Sequence, residues 1–113
     1  MTVAVIFTSR RTVDHEAEYA RMAARMDELV REQPGFVSVT SVRDPRTREG
    51  ITVACFTGED AVRAWRRHPE HAEAQRRGIA EFYEEYHVTV ATIDREYGTA
   101  REHGTDRAYG TQQ

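Results

Sequence analysis

The sequence contains no lysine: all 16 of its basic residues are arginine. That absence excludes Schiff-base chemistry, a pyridoxal-phosphate site and a Walker-type phosphate loop, each of which needs a lysine amine. Cysteine is nearly absent too, with Cys55 alone among 113 residues, so no intrachain disulfide can form. Cys55 lies in an apolar run, where a buried, inert thiol is the usual outcome. Long apolar runs are also missing. The stretch from Val3 to Phe7 is too short for a signal peptide, no basic stretch precedes it and no small-residue cleavage site follows. The chain therefore reads as cytoplasmic, with no membrane partner. No basic face exists either: the net charge is −3 and the arginines alternate with Asp and Glu, so nucleic acid is not an expected partner.

What is present is globular, with 39% hydrophobic and 31% charged residues. A chain of 113 residues makes one domain with one modest core, and so one site per chain. Residues 2–10 (TVAVIFTSR) are β-branched and aromatic on both faces, as in a central strand. From Thr12 or Asp14 the spacing turns helical, with Tyr19, Met22, Ala23, Met26, Leu29 and Val30 on one stripe, until Pro34 and Gly35 stop it. Residues 36–42 and 51–56 form a hairpin across the Asp44, Pro45 and Gly50 turn chemistry. Thr57 and Asp60 fit a capping box that opens a short helix with Ala61, Val62 and Trp65 facing inward. His68-Pro69 restarts the helix, which is expected to run to about Glu85, with residues 86–97 as the last strand. Residues 1–97 thus form the domain. Residues 98–113, rich in glycine and poor in aliphatic side chains, form a tail expected to be mobile or draped over a partner.

The order βαββαβ specifies an α+β fold, because right-handed crossovers put both helices on one side of an antiparallel sheet. The other side is left bare, yet the first, third and fourth strands are apolar on both faces. The simplest cover for such a patch is the same face of a second copy, which predicts a homodimer.

The chemistry-bearing residues cluster in residues 61–90 (AVRAWRRHPEHAEAQRRGIAEFYEEYHVTV). Helical spacing puts His68, His71 or Ala72, Gln75, Ile79, Phe82 and Tyr86 on one face, and a polar group on an inward stripe must find a partner or a ligand. Trp65 lies one turn earlier, so an indole, imidazoles and a carboxamide can line one pocket. The helix dipole disfavours the imidazolium at His68 and His71, and neutral imidazole is what a general base needs. The plainer alternative is that His68 caps the helix, His71 packs at its start and Trp65 fills the core. Gln75 is either a buried hydrogen-bond bridge or a ligand contact. His87 points toward the dimer face or a pocket rim, Tyr83 offers a hydroxyl to a ligand or to an interface, and His15 and His103 are surface residues. HPEH spaces its histidines loosely like metal ligands, but with no third ligand, no HExxH and no cysteine pair no metal is expected.

The segments Glu32-Gln33-Pro34-Gly35-Phe36, Trp65, HPEHAEAQRRG and FYEEY together resemble the antibiotic biosynthesis monooxygenase family of the dimeric α+β barrel superfamily, over roughly residues 1–97. The resemblance implies a ferredoxin-like protomer, a sheet-to-sheet dimer and a ligand cavity between sheet and helices. It also implies oxidation of an electron-rich, polyketide-like aromatic by molecular oxygen without metal or flavin. In that setting Trp65 matches a cavity tryptophan, His68 or His71 is the base, Gln75 holds an oxyanion or hydroxyl, and Phe7, Phe82, Tyr83 and His87 are substrate contacts. Two alternatives stay open. A haem-degrading branch of the superfamily shares the tryptophan, but here Ala74 and Gln75 occupy its ligand region and Phe7-Thr8-Ser9 lacks its asparagine. The other is a non-catalytic dimer that binds a small aromatic ligand.

Overall fold

The β-branched run at the start forms β1, Val3–Arg11, in a computed structural model that describes residues 1–99. There follow α1 (Glu16–Arg31), β2 (Phe36–Arg43), β3 (Glu49–Phe56), α2 (Glu59–Arg67), α3 (Pro69–Arg77), a π turn over Gly78–Phe82, and β4 (Tyr83–Thr92). The sheet is antiparallel with strand order β2-β3-β1-β4, the ferredoxin-like α+β arrangement. Most of the tail expected to be mobile, His103 included, lies outside the described residues.

Register decides which side chains share a face. Val3, Val5 and Phe7 pair with Phe56, Ala54 and Thr52 on β3 and with Thr92, Val90 and Val88 on β4. This is the helix side. Val3, Ala54 and Phe56 pack there with Leu29 and Val30 of α1 and Val62 and Trp65 of α2. Gly35 closes the link from α1 to β2 at φ 85, where a Cβ would come within 2.7 Å of Ala61 Cβ. The opposite face carries Ala4, Ile6, Val53, Cys55 and Ala91, with Ile51 and Val42 exposed at its margin. Both sides of the sheet are therefore apolar, as the strand patterns require.

Four local expectations are corrected. Thr57 makes no capping box: Gly58 is the N-cap of α2, with no side-chain cap bond. The second helix passes at Arg77 into the π turn and its helical backbone ends at Phe82, short of Glu85, because β1 captures the chain there: Tyr83 pairs with Arg11, and Arg10 holds both Glu84 and Glu85. β4 ends at Thr92, where β1 has no further residues to pair, apart from the Ile93 N–H donating to Thr2. The inward stripe is also one position off. Ala74, Gly78 and Phe82 are buried, whereas Gln75 and Ile79 face outward.

Candidate active site

The α2–α3 junction is built by His68 and Pro69. His68 takes extended backbone angles and its Nδ1 accepts from the Glu70 N–H at 3.2 Å, while Pro69 occupies the first helical position, where no N–H is needed. An Nδ1 that accepts carries no proton, so the neutral ring keeps its proton on Nε2. Glu70, one residue into α3, is gripped by Arg25 of α1 through two bonds of 2.9 and 2.8 Å. That grip holds the carboxyl below the usual carboxylate range.

His71 is committed differently. Its ring stacks on Trp65 at 4.1 Å with an interplanar angle of 11°, and its Nδ1 lies 2.9 Å from the Trp65 carbonyl. A carbonyl only accepts, so Nδ1 carries the proton and Nε2 of the neutral ring keeps a free lone pair. Burial pushes the imidazole below its ordinary pKa of 6.5; the bond to Trp65 opposes this, and the charges of His68 and Arg66 add to it. Trp65 itself is 7% exposed and belongs to the core.

The linkage has a definite sign. Unfolded His71 takes a proton near pH 6.5 while folded His71 resists it, so below that pH the unfolded state binds more protons. Stability is expected to fall as pH drops below 6.5 and to stop falling once folded His71 itself protonates. Denaturant midpoints measured across pH for the wild type and His71→Gln test this. The difference between the two should vary in that window and be flat above it.

A second group lies on the helix side of β1 and β4. Phe7 meets Tyr83 edge-on at 5.3 Å and Tyr86 in a stacked arrangement at 6.2 Å. Tyr83 rests against the backbone of Gly78, where a Cβ would come within 2.6 Å of its ring. Burial first, then the neighbouring Tyr19 hydroxyl, hold the Tyr83 phenol well above its ordinary range, while Arg43 and Arg11 pull the other way. Tyr86, Val88 and Val90 continue the strip and stay partly exposed, because the helices pack over β1, β2 and β3 and leave the edge strand β4 largely uncovered.

The expected site residues thus divide. Trp65, His68 and His71 form one group and Phe7 and Tyr83 another; among the described residues no ring contact joins the two. Gln75 leaves the pocket altogether, since the stripe that faces inward runs through Ala74. Phe82 has no exposed surface and packs under Tyr19 as core. His87 sits opposite Thr8 on the other face of the sheet, beside a concavity of about 530 Å³ lined also by Arg10, Glu49 and Glu85. Tyr86 lines the same concavity, whereas Phe7 does not. His15, an exposed residue as expected, lies with Glu18 and Glu81 in a group spaced like metal ligands, and neither His68 nor His71 belongs to it.

Sequence reasoning missed Ser9, Arg11, Tyr19 and Arg43 as a polar group beside Tyr83. Alternation in β1 was the available signal: Ser9 and Arg11 follow Val5 and Phe7 on the inward positions, where an arginine is out of place unless it has a task.

A family model for antibiotic biosynthesis monooxygenase matches residues 2–77, from β1 to the end of α3. The chain belongs to the antibiotic biosynthesis monooxygenase family. The uncharacterized protein YqjZ of Bacillus subtilis (strain 168) is 43% identical over 93 residues, which is 82% of this chain and 80% of that one. SnoaB, a cofactor-independent oxygenase from Streptomyces nogalater, superposes with a TM-score of 0.70 at 21% identity, covering 84% of this chain and 95% of its own. Rv0793 from Mycobacterium tuberculosis gives 0.76 at 17% identity, covering 87% and 100%. At those identities the two structures speak for the family's fold. Trp65, His68 and His71 fall inside the matched segment, while Tyr83 and the β4 strip lie beyond it. Among the described residues no helix is long and apolar enough to cross a membrane.

Proposed function

We propose that this family member is a cofactor-independent monooxygenase that oxidises an electron-rich, polyketide-like aromatic with molecular oxygen, and that His71 is its base. The observation that carries the reading is the 2.9 Å contact of His71 Nδ1 with the Trp65 carbonyl: because a carbonyl only accepts, a half-buried neutral imidazole held this way keeps Nε2 as a proton acceptor. Nε2 takes a phenolic or activated methylene proton. The resulting carbanion or phenolate passes one electron to oxygen, and the radical and superoxide combine to a peroxide. Loss of water then leaves a carbonyl where the methylene stood, so CH2 and O2 become C=O and H2O. Dry aromatic walls favour this by keeping the anion from solvent. His68, whose Nδ1 is occupied by the helix it caps, is the weaker candidate.

The same reading makes the protein a cytoplasmic homodimer. The face of Ala4, Ile6, Val53, Cys55 and Ala91 would pack on its copy, and burial already raises the Cys55 thiol pKa. Light scattering should give twice the 13.0 kDa chain mass.

Oxygen-electrode assays with hydroxylated anthrones, on protein treated with chelator, test the activity. Oxygen uptake with quinone formation is expected. A Soret band that develops with haemin and moves in His71→Ala would instead assign a haem-handling member. Tight ligand binding with no uptake would make the dimer a non-catalytic binder.

A further inference from the structure

Arg43 is a half-buried guanidinium with no carboxylate within ion-pair distance among the described residues. It spends its N–H groups on neutral acceptors: Nη1 on the Arg48 carbonyl at 2.8 Å and the Ser9 carbonyl at 3.4 Å, Nη2 on Ser9 Oγ at 2.9 Å and the Tyr19 hydroxyl at 3.3 Å. Nearby Arg11 does have a carboxylate, Glu16 at 2.8 Å, and its side chain lies over the Tyr19 ring at 4.1 Å. Its buried Nε has no hydrogen-bond partner. The region therefore holds one more positive charge than Glu16 offsets, and burying a cation without an anion is costly unless something returns the energy.

The arrangement is also built to stay put. Gly50 lies under the Arg43 guanidinium, and a Cβ there would come within 2.7 Å of Cζ. Gly78 likewise seats the ring of Tyr83. Two glycines thus let two polar side chains lie flat against backbone. Tyr83 stays a protonated phenol, and so a donor, well above neutral pH. Directly beyond it runs the partly exposed strip of Phe7, Tyr86, Val88 and Val90.

From this juxtaposition we infer that Arg43, Tyr19 and Tyr83 form an oxyanion subsite, which selects planar aromatic ligands bearing a carboxylate or an ionised phenol and lays their rings along the Phe7–Tyr86 strip. The inference rests on the monooxygenase reading and deepens it, naming an acidic aromatic as the substrate class. Arg43, whose Nη hydrogens are already donated, supplies the positive charge and Tyr83 the donating contact; Gly50 and Gly78 position them. A charge-assisted bond supplies enough selectivity to prefer an anion over its neutral isostere by roughly tenfold or more.

The test is equilibrium binding of 2-naphthoate, 2-naphthamide and 4-nitrophenolate to the full-length protein by calorimetry, without turnover. Expected is a preference for 2-naphthoate over 2-naphthamide of roughly tenfold. Arg43→Gln should erase it, and so should Gly50→Ala, which leaves Arg43 in the sequence but displaces its guanidinium. Tyr83→Phe should weaken both anions. Comparing 2-naphthoate with 4-nitrophenolate tells which oxyanion is favoured. Equal affinity for acid and amide, a preference that survives Arg43→Gln with the fold intact by circular dichroism, or no binding of any probe would overturn the subsite. Loss of the anion preference with oxygen uptake retained defeats the subsite alone. Anion preference without oxygen uptake defeats the monooxygenase reading alone.

Discussion

Trp65→Ala is expected to lower the unfolding free energy by ~3–5 kcal/mol, the usual cost of emptying a buried aromatic site. The indole is 7% exposed and packs in one cluster with Val3, Leu29, Val30, Ala54, Phe56 and Val62, so neighbours on sheet, α1 and α2 all lose contacts. Its removal also takes away the surface on which His71 stacks at 4.1 Å. Trp65→Phe separates the two effects, because a smaller ring keeps much of the core while changing the stack. Denaturant midpoints report the first effect and the pH profile of His71 the second. A Trp65→Ala protein as stable as the wild type would mean that the tryptophan is not the core residue its burial indicates.

The fold was legible because its elements rest on period and punctuation. Runs of β-branched and aromatic residues marked the strands, Pro34-Gly35 stopped α1, and His68-Pro69 restarted the helix where α3 begins. Where reading failed, a distant partner decided the outcome. Tyr83, Glu84 and Glu85 continue a helical pattern, but β1 offers them a ladder and Arg10 offers two carboxylates an ion pair. Local spacing does not encode that competition.

The site was legible in part. Trp65, His68 and His71 stood out as polar or aromatic residues beside a proline, and they do meet at one junction. Gln75 failed because the inward stripe lies one residue earlier, through Ala74, and a shift of one residue turns a helical side chain by about 100°. His87 stands where strand alternation put it, on the dimer-facing side and at a pocket rim, behind the sheet from Phe7. Arg43 was invisible because it reads as a turn residue. Its task emerges only when register sets it against Gly50 and lets the guanidinium cross to Ser9 and Tyr19.

If His71 is the base, His71→Asn should reduce kcat/KM for anthrone oxidation by roughly 10²–10⁴-fold, the span that a positioned general base contributes. Asparagine is the informative replacement: its amide can still donate to the Trp65 carbonyl, so the helix start survives while Nε2 is lost. His68→Asn is the matched control, since an asparagine oxygen can still accept from the Glu70 N–H and cap α3, and it should retain most of the turnover. The pH profile adds a further check. A base must be neutral to act, so the acid limb of kcat/KM in the wild type should lie below the ordinary histidine value of 6.5, in the direction that burial moves His71. That limb should vanish in His71→Asn and persist in His68→Asn. The opposite pattern, with His68→Asn inactive and His71→Asn unaffected, would move the base to the cap and leave the Trp65–His71 stack as packing.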